Sequence, residues 1–92
     1  DGNYFYFSTK AQKCHCQVTY GDNAYLVFGR ESRGLPEQLV HDNYDKAVRI
    51  PMIADTRSLN LSNSVAIAVY EVLRQHNFEG MNFIGHLREF DD

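Results

Sequence analysis

Three short, largely apolar runs, each stopped by polar or turn-forming residues, constrain this 92-residue chain more than anything else in it. They are Tyr4-Phe5-Tyr6-Phe7, Ala24-Tyr25-Leu26-Val27-Phe28 and Ala47-Val48-Arg49-Ile50. Each is too short for a core helix, and its apolar residues are consecutive rather than alternate. A strand apolar on both faces must be covered on both faces, as in a parallel sheet between helical layers. The runs end at Ser8-Thr9, at Gly29-Arg30-Glu31 and at Ile50-Pro51-Met52. Parallel α/β sheets bind ligands beyond the carboxyl ends of their strands, so these three ends are the expected site. Val18 and Tyr20 are read as a further short strand before the turn at Gly21-Asp22-Asn23.

Between and after these runs the spacing predicts two helices. Pro36 suits a first helical position and Glu37 the positive helix start, with Leu39 and Val40 facing the core. A longer helix is expected over residues 61–76, where Leu61, Val65, Ala68, Val69 and Val72 recur on one face. Ala66, Ile67, Tyr70 and Leu73 make most of its remaining surface apolar. A helix apolar nearly all round is buried on more than one side, and in so short a chain the second side is expected to be another subunit. Charges at Val69 and Val72 are therefore expected to break the dimer or the fold. Asn60 or Ser62 caps the helix start, Arg74 and His76 suit its negative end, and Asn77 and Gly80 stop it.

The chain is one domain at most, with a thin core. No apolar run is long enough for a membrane span. No secretory leader is visible; the chain opens on Asp1-Gly2-Asn3 without Met, and is read as a mature or truncated piece. The formal net charge of −3 is carried by residues 79–92, leaving the rest neutral. This charge does not advertise nucleic-acid binding, although Lys10, Lys13, Arg30, Arg33 and Arg57 fall in expected loops. Cys14 and Cys16 are one residue apart, poorly placed for a disulfide, and they are the chain's two cysteines. A reducing, cytoplasmic location follows as an expectation. Cys14-His15-Cys16 looks like part of a metal site, but a structural zinc takes four ligands, and His41, His76 and His86 stand without ligand spacing. No metal is expected.

Two stretches are unusual: Phe28-Gly29-Arg30-Glu31-Ser32-Arg33-Gly34-Leu35-Pro36, and Ile50-Pro51-Met52 followed by Arg57-Ser58-Leu59-Asn60-Leu61-Ser62-Asn63-Ser64-Val65-Ala66. In order and at this spacing they resemble motifs two and three of the SpoU branch of SPOUT methyltransferases. The likeness is strongest to the small enzymes that methylate the ribose 2′-hydroxyl of the tRNA wobble nucleotide, a cytidine or uridine. It runs from Phe7 to about Gln75. It implies an α/β fold, a parallel sheet whose carboxy-terminal segment threads a loop to form a trefoil knot. Knots are rare exceptions to ordinary chain topology.

The resemblance further implies S-adenosylmethionine as cofactor, tRNA as substrate and a homodimer. Carried over by motif position, the cofactor contacts are Phe7, Gly29, Ile50 and Ser58. Glu31, Ser58 and Asn60 match the polar catalytic residues, with Ser58 and Asn60 holding the geometry and Glu31 organising the loop and the substrate side. Arg33, Arg57 and Tyr70 are expected on the RNA side. The family's first motif, with the Asn and Arg that activate the hydroxyl, has no counterpart in residues 1–92. The chain is thus read as the carboxy-terminal, cofactor-binding and dimerising half of the domain, expected to bind cofactor better than it methylates. Alternatives are a non-catalytic cofactor-binding or dimerisation module, and the same chemistry on ribosomal RNA or another tRNA position.

Each of these residues also has a plainer reading. Gly29 makes a tight turn if it does not admit a cofactor; if it does admit one, Gly29→Val is expected to abolish binding by filling the cofactor's approach, with the fold largely intact. Ser58, Asn60, Ser62 and Asn63 serve as helix caps. Arg30, Arg33 and Arg57 are solvated or ion-paired if they do not meet phosphate. Tyr70 packs at an interface if it does not reach RNA.

Overall fold

A computed structural model of the chain describes residues 3–30, 33–52 and 60–89. The elements are β1 (Asn3–Phe7), β2 (Lys13–Cys14), β3 (Ala24–Val27), α1 (Glu37–Asp42), a single 3₁₀ turn at Tyr44–Lys46, β4 (Ala47–Arg49) and α2 (Leu61–Gln75). The strands form one sheet in the order β2-β4-β1-β3, and every pairing is parallel. In register, Tyr6 lies between Val27 and Ala47, and Phe7 beside Val48. The carboxyl ends of β1, β3 and β4 therefore stand side by side. The expected α/β parallel sheet is present.

Alternation along the strands divides the core. Phe5, Phe7, Val48 and Tyr20 cluster with Ala68 of α2, and Val72 packs against them. Ala47, the neighbour of Val48, turns to the other face and packs with Val40 of α1, Ala11 and Leu35. The sheet is thus covered on both sides at β4, as a two-faced apolar strand requires. Cover fails toward the amino ends of β1 and β3. There Tyr4 and Tyr25 stack with ring centroids 4.9 Å apart and remain 41% and 51% exposed.

Two local expectations need correction. Lys13–Cys14, not Val18–Tyr20, adds the fourth strand. The reason is competition for backbone groups. Gln75 of α2 accepts from the Tyr20 N–H at 3.0 Å and donates to the Val18 carbonyl at 2.9 Å, and His76 Nε2 donates to the Tyr20 carbonyl at 2.9 Å. Side chains from the end of α2 thus satisfy what a neighbouring strand would have satisfied. Pro36 also sits one position earlier than expected, as the residue before α1 rather than its first.

The two ends of α2 follow their sequence signals. Asn60 caps the start, its side-chain oxygen accepting from Ser62 N at 2.8 Å and Asn63 N at 3.4 Å. At the other end Phe78 N donates to Leu73 O at 2.8 Å and Asn77 N to Arg74 O at 2.9 Å. This is a Schellman arrangement, with Asn77 and Phe78 at positive φ (61° and 51°). Beyond it residues 81–89 are exposed and carry Phe83, Ile84 and Leu87.

Tyr20 joins the layers. Its ring is 2% exposed and its hydroxyl donates to the His15 carbonyl at 2.6 Å. Burial pushes the phenol's pKa well above its ordinary value, so the hydroxyl keeps its proton and remains a donor. Tyr20→Phe strands that carbonyl without its partner and is expected to lower unfolding free energy by about 1–2 kcal/mol. Urea unfolding of the two proteins checks this; equal midpoints would show that the Tyr20 hydroxyl adds nothing to stability.

Candidate functional site

The three adjacent strand ends open onto a cavity of about 180 Å³. Phe7 and Ser8 enter it from β1, Phe28 and Gly29 from beyond β3, and Ile50 and Met52 from beyond β4. All three segments picked out as strand ends thus meet at one place. The Phe7 and Phe28 rings stack there, with centroids 4.7 Å apart. The chain enters the stretch 53–59, outside the described residues, just after Met52 and leaves it before Leu61. Met52 and Leu61 both line the cavity.

The loop from Arg30 to Leu35 is shaped by two glycines for different reasons. Gly34 N donates to Arg30 O at 2.8 Å, closing a tight turn with Gly34 at φ 71°. That backbone conformation favours glycine. Gly29 is needed for space instead: a Cβ there would overlap the backbone of Gly34 and Leu35. The expectation that Gly29→Val would leave the fold intact is therefore corrected. Gly29 thus makes the close approach to Gly34 and Leu35 and also lines the cavity.

Arg30 and Arg33 line the cavity and are exposed, and Lys10 and Glu37, also lining it, pair at 3.6 Å. An exposed pair of this kind contributes little stability. Three cationic side chains at one mouth do create a locally basic rim on an acidic chain.

Of the residues expected in the site, Phe7, Gly29, Ile50 and Arg33 line the cavity. Glu31, Arg57 and Ser58 lie outside the described residues. Asn60 does not line it; it caps α2 and so sets where Leu61 and Ser64, which do line it, are held. Tyr70 is elsewhere, 56% exposed on α2, with its ring 6.2 Å from that of Phe78. Leu35, Val40, Leu61 and Ser64 also line the cavity, although the sequence singles out none of them as a site residue. The signal for Ser64 was available: it lies one helical turn past the Asn60 cap, on the same side of the helix start.

The family model described as the SpoU rRNA Methylase family matches residues 1–70. A tRNA (cytidine(34)-2'-O)-methyltransferase of Saccharophagus degradans is 50% identical over 74 residues, covering 79% of this chain and 48% of that protein. The tRNA (cytidine(34)-2'-O)-methyltransferase of Escherichia coli K12 is 44% identical over 77 residues, covering 83% and 49%. A solved structure from Bacillus anthracis matches with a TM-score of 0.81 at 42% identity, over 90% of this chain and 54% of that one. Another, described as giving structural insights into the 2-OH methylation of C/U34 on tRNA, matches with a TM-score of 0.75 at 37% identity, over 83% and 46%. The chain spans about half the length of the curated relatives it matches. With the family model matching residues 1–70 and solved RNA methyltransferase structures matching most of its fold, this chain belongs to the SpoU rRNA methylase family.

Proposed function

We propose that the chain is the carboxy-terminal, cofactor-binding part of an enzyme that transfers a methyl group from S-adenosylmethionine to the ribose 2′-hydroxyl of a tRNA wobble nucleotide. The observation that carries this reading is the convergence of three parallel strand ends, bearing the two motif segments, on one cavity. Relatives named for methylation of tRNA cytidine 34 support the substrate.

The cavity's residues fit such a cofactor. Phe7, Ile50 and Leu61 offer apolar wall. The absence of a side chain at Gly29 lets the loop backbone close over the same space. Arg30 and Arg33 give the rim its positive charge. The bound group supplies an electrophilic methyl on a sulfonium. The protein's task is then to hold a 2′-hydroxyl in line with that methyl and to ease loss of its proton. Alignment of this kind supplies much of an enzyme's rate advantage, and a weak oxygen nucleophile benefits from a positioned base.

In this reading Phe7, Gly29, Ile50 and Ser58 contact the cofactor. Glu31 organises the substrate side, and Ser58 and Asn60 hold the motif-three segment in place. Arg33 and Arg57 meet RNA phosphate, which suits guanidinium groups. The trefoil-knot path for the carboxy-terminal segment rests on the resemblance of the two motif segments. The exposed apolar face of α2, with Ile67, Val69 and Tyr70 at 39%, 38% and 56% exposure, supports a homodimer in which Tyr70 reaches RNA across the interface. Among the described residues no helix is long and apolar enough to cross a membrane, and a tRNA substrate puts the work in the cytoplasm.

The family description names ribosomal RNA, which favours ribosomal RNA as the second reading. Incubation with labelled S-adenosylmethionine and total RNA separates the two. Label at the 2′-oxygen of nucleotide 34, absent when that nucleotide is 2′-deoxy, supports the tRNA reading. Label on ribosomal RNA overturns it. Cofactor binding without transfer to any RNA, by a protein that carries the first motif as well as this chain, would make the chain a non-catalytic module.

A further inference from the structure

We propose that Cys14, His15 and Cys16, none of which lines the cavity at the strand ends, form a site for a thiophilic d¹⁰ cation, Zn²⁺ in the first instance. In an extended strand, successive side chains point to opposite faces, so three consecutive ligands would not converge. Here β2 ends at Cys14 and the chain bends at once. Gln17 N donates to the Cys14 carbonyl at 3.0 Å, and the Gln17 side chain accepts from Cys14 N at 2.9 Å. The bend gathers one ligand atom from each of the three residues to within 4.8 Å of one another.

The spacings suit one small ion. Cys14 Sγ lies 3.8 Å from His15 Nδ1 and 2.8 Å from Cys16 Sγ. A tetrahedral zinc with ordinary bond lengths sets a sulfur and a nitrogen about 3.6 Å apart and two sulfurs about 3.8 Å apart. Cys14 and the imidazole are thus spaced for one ion, and the exposed Cys16 thiol must move away from Cys14 by about 1 Å and toward His15 to join them. Two thiolates and an imidazole are a soft donor set that selects Zn²⁺ or Cu⁺ over hard cations.

The site is also held from behind. His15 is 8% exposed; its N–H donates to Arg49 O at 2.8 Å, and its carbonyl accepts from the buried Tyr20 hydroxyl. None of the three ligand residues lines the cofactor cavity. The want of a fourth ligand, which told against a metal in the sequence, excludes a closed structural site only. Three protein ligands leave a position for water or a small thiol, as open zinc sites do. Each thiol gives its proton to solvent as its sulfur binds the ion. The ion would then staple the β2 turn to the Tyr20–α2 layer.

Competition of the reduced chain with a chromophoric chelator for Zn²⁺ tests this, with Co²⁺ substitution to detect sulfur-to-metal charge-transfer absorption. The expected result is one equivalent of Zn²⁺ bound with submicromolar affinity. Cys14→Ser and Cys16→Ser should each weaken it by about a hundredfold while the far-ultraviolet circular dichroism is unchanged. Binding that survives both substitutions overturns the site. So does a reduced chain that binds no Zn²⁺ and instead closes a Cys14–Cys16 disulfide in air.

Discussion

Gly29→Ala is expected to abolish cofactor-analogue binding and to destabilise the fold together. The added methyl would overlap the backbone of Gly34 and Leu35, and backbone cannot swing aside as a long side chain can. The loop from Arg30 to Leu35 must lift, taking with it Arg33 and the Leu35 contact to Val40 and Ala47. Forced overpacking of this sort costs about 1–3 kcal/mol. A cavity whose wall has moved should lose at least about a hundredfold in affinity for S-adenosylhomocysteine, equivalent to about 2.7 kcal/mol. Gly34→Ala is the control. It meets open space but must hold φ at 71°, a cost of about 1–2 kcal/mol of backbone strain without a collision. Thermal unfolding and calorimetric titration of both variants check this. A Gly29→Ala protein with native stability would show that the close approach is not needed.

Val72→Asp should unfold the chain, and Val69→Asp should not. Val72 packs against the cluster of Phe5, Phe7, Tyr20, Val48 and Ala68. A carboxylate there loses the packing of an aliphatic side chain and sits without a cationic partner in an apolar layer, a loss of about 3 kcal/mol or more. That is a large share of a small domain's total stability. Val69, three residues earlier on the helix, is 38% exposed, and a charge there stays in water. If the outer face of α2 is the dimer contact, Val69→Asp gives a folded monomer by sedimentation. Unchanged association after Val69→Asp would remove that face from the interface. The expectation that both positions act alike is thus divided by the structure: one belongs to the fold, the other to the surface.

The sheet was legible because its signal is local. Consecutive apolar residues in Tyr4-Phe5-Tyr6-Phe7 and Ala24-Tyr25-Leu26-Val27 point to parallel strands, which they form, although Tyr4 and Tyr25 stay exposed where cover fails. The site was legible for the same reason, since in parallel sheets the strand ends share one edge. Asn60 and Asn77 marked the ends of α2 through capping chemistry that depends on near neighbours. What was missed depends on distant partners. Val18 and Tyr20 have strand composition, but Gln75 and His76, more than fifty residues away, supply their hydrogen bonds. Lys13–Cys14 pairs with β4 through only two residues, too few for any periodicity to register. The convergence of Cys14, His15 and Cys16 likewise depends on a bend that spacing alone does not reveal. The reaction was legible only through the resemblance of the two motif segments, because neither a cap-like run of Ser and Asn nor a Gly-bounded loop names a chemistry.

Calorimetric titration of the 92-residue chain with S-adenosylhomocysteine decides whether the cavity is a cofactor site. Saturable one-to-one binding that Gly29→Ala eliminates is expected, because Phe7, Gly29 and Ile50 already meet at one cavity. A folded chain that takes up no S-adenosylhomocysteine at millimolar concentration would contradict it: the strand ends would then form a cavity without being a cofactor site.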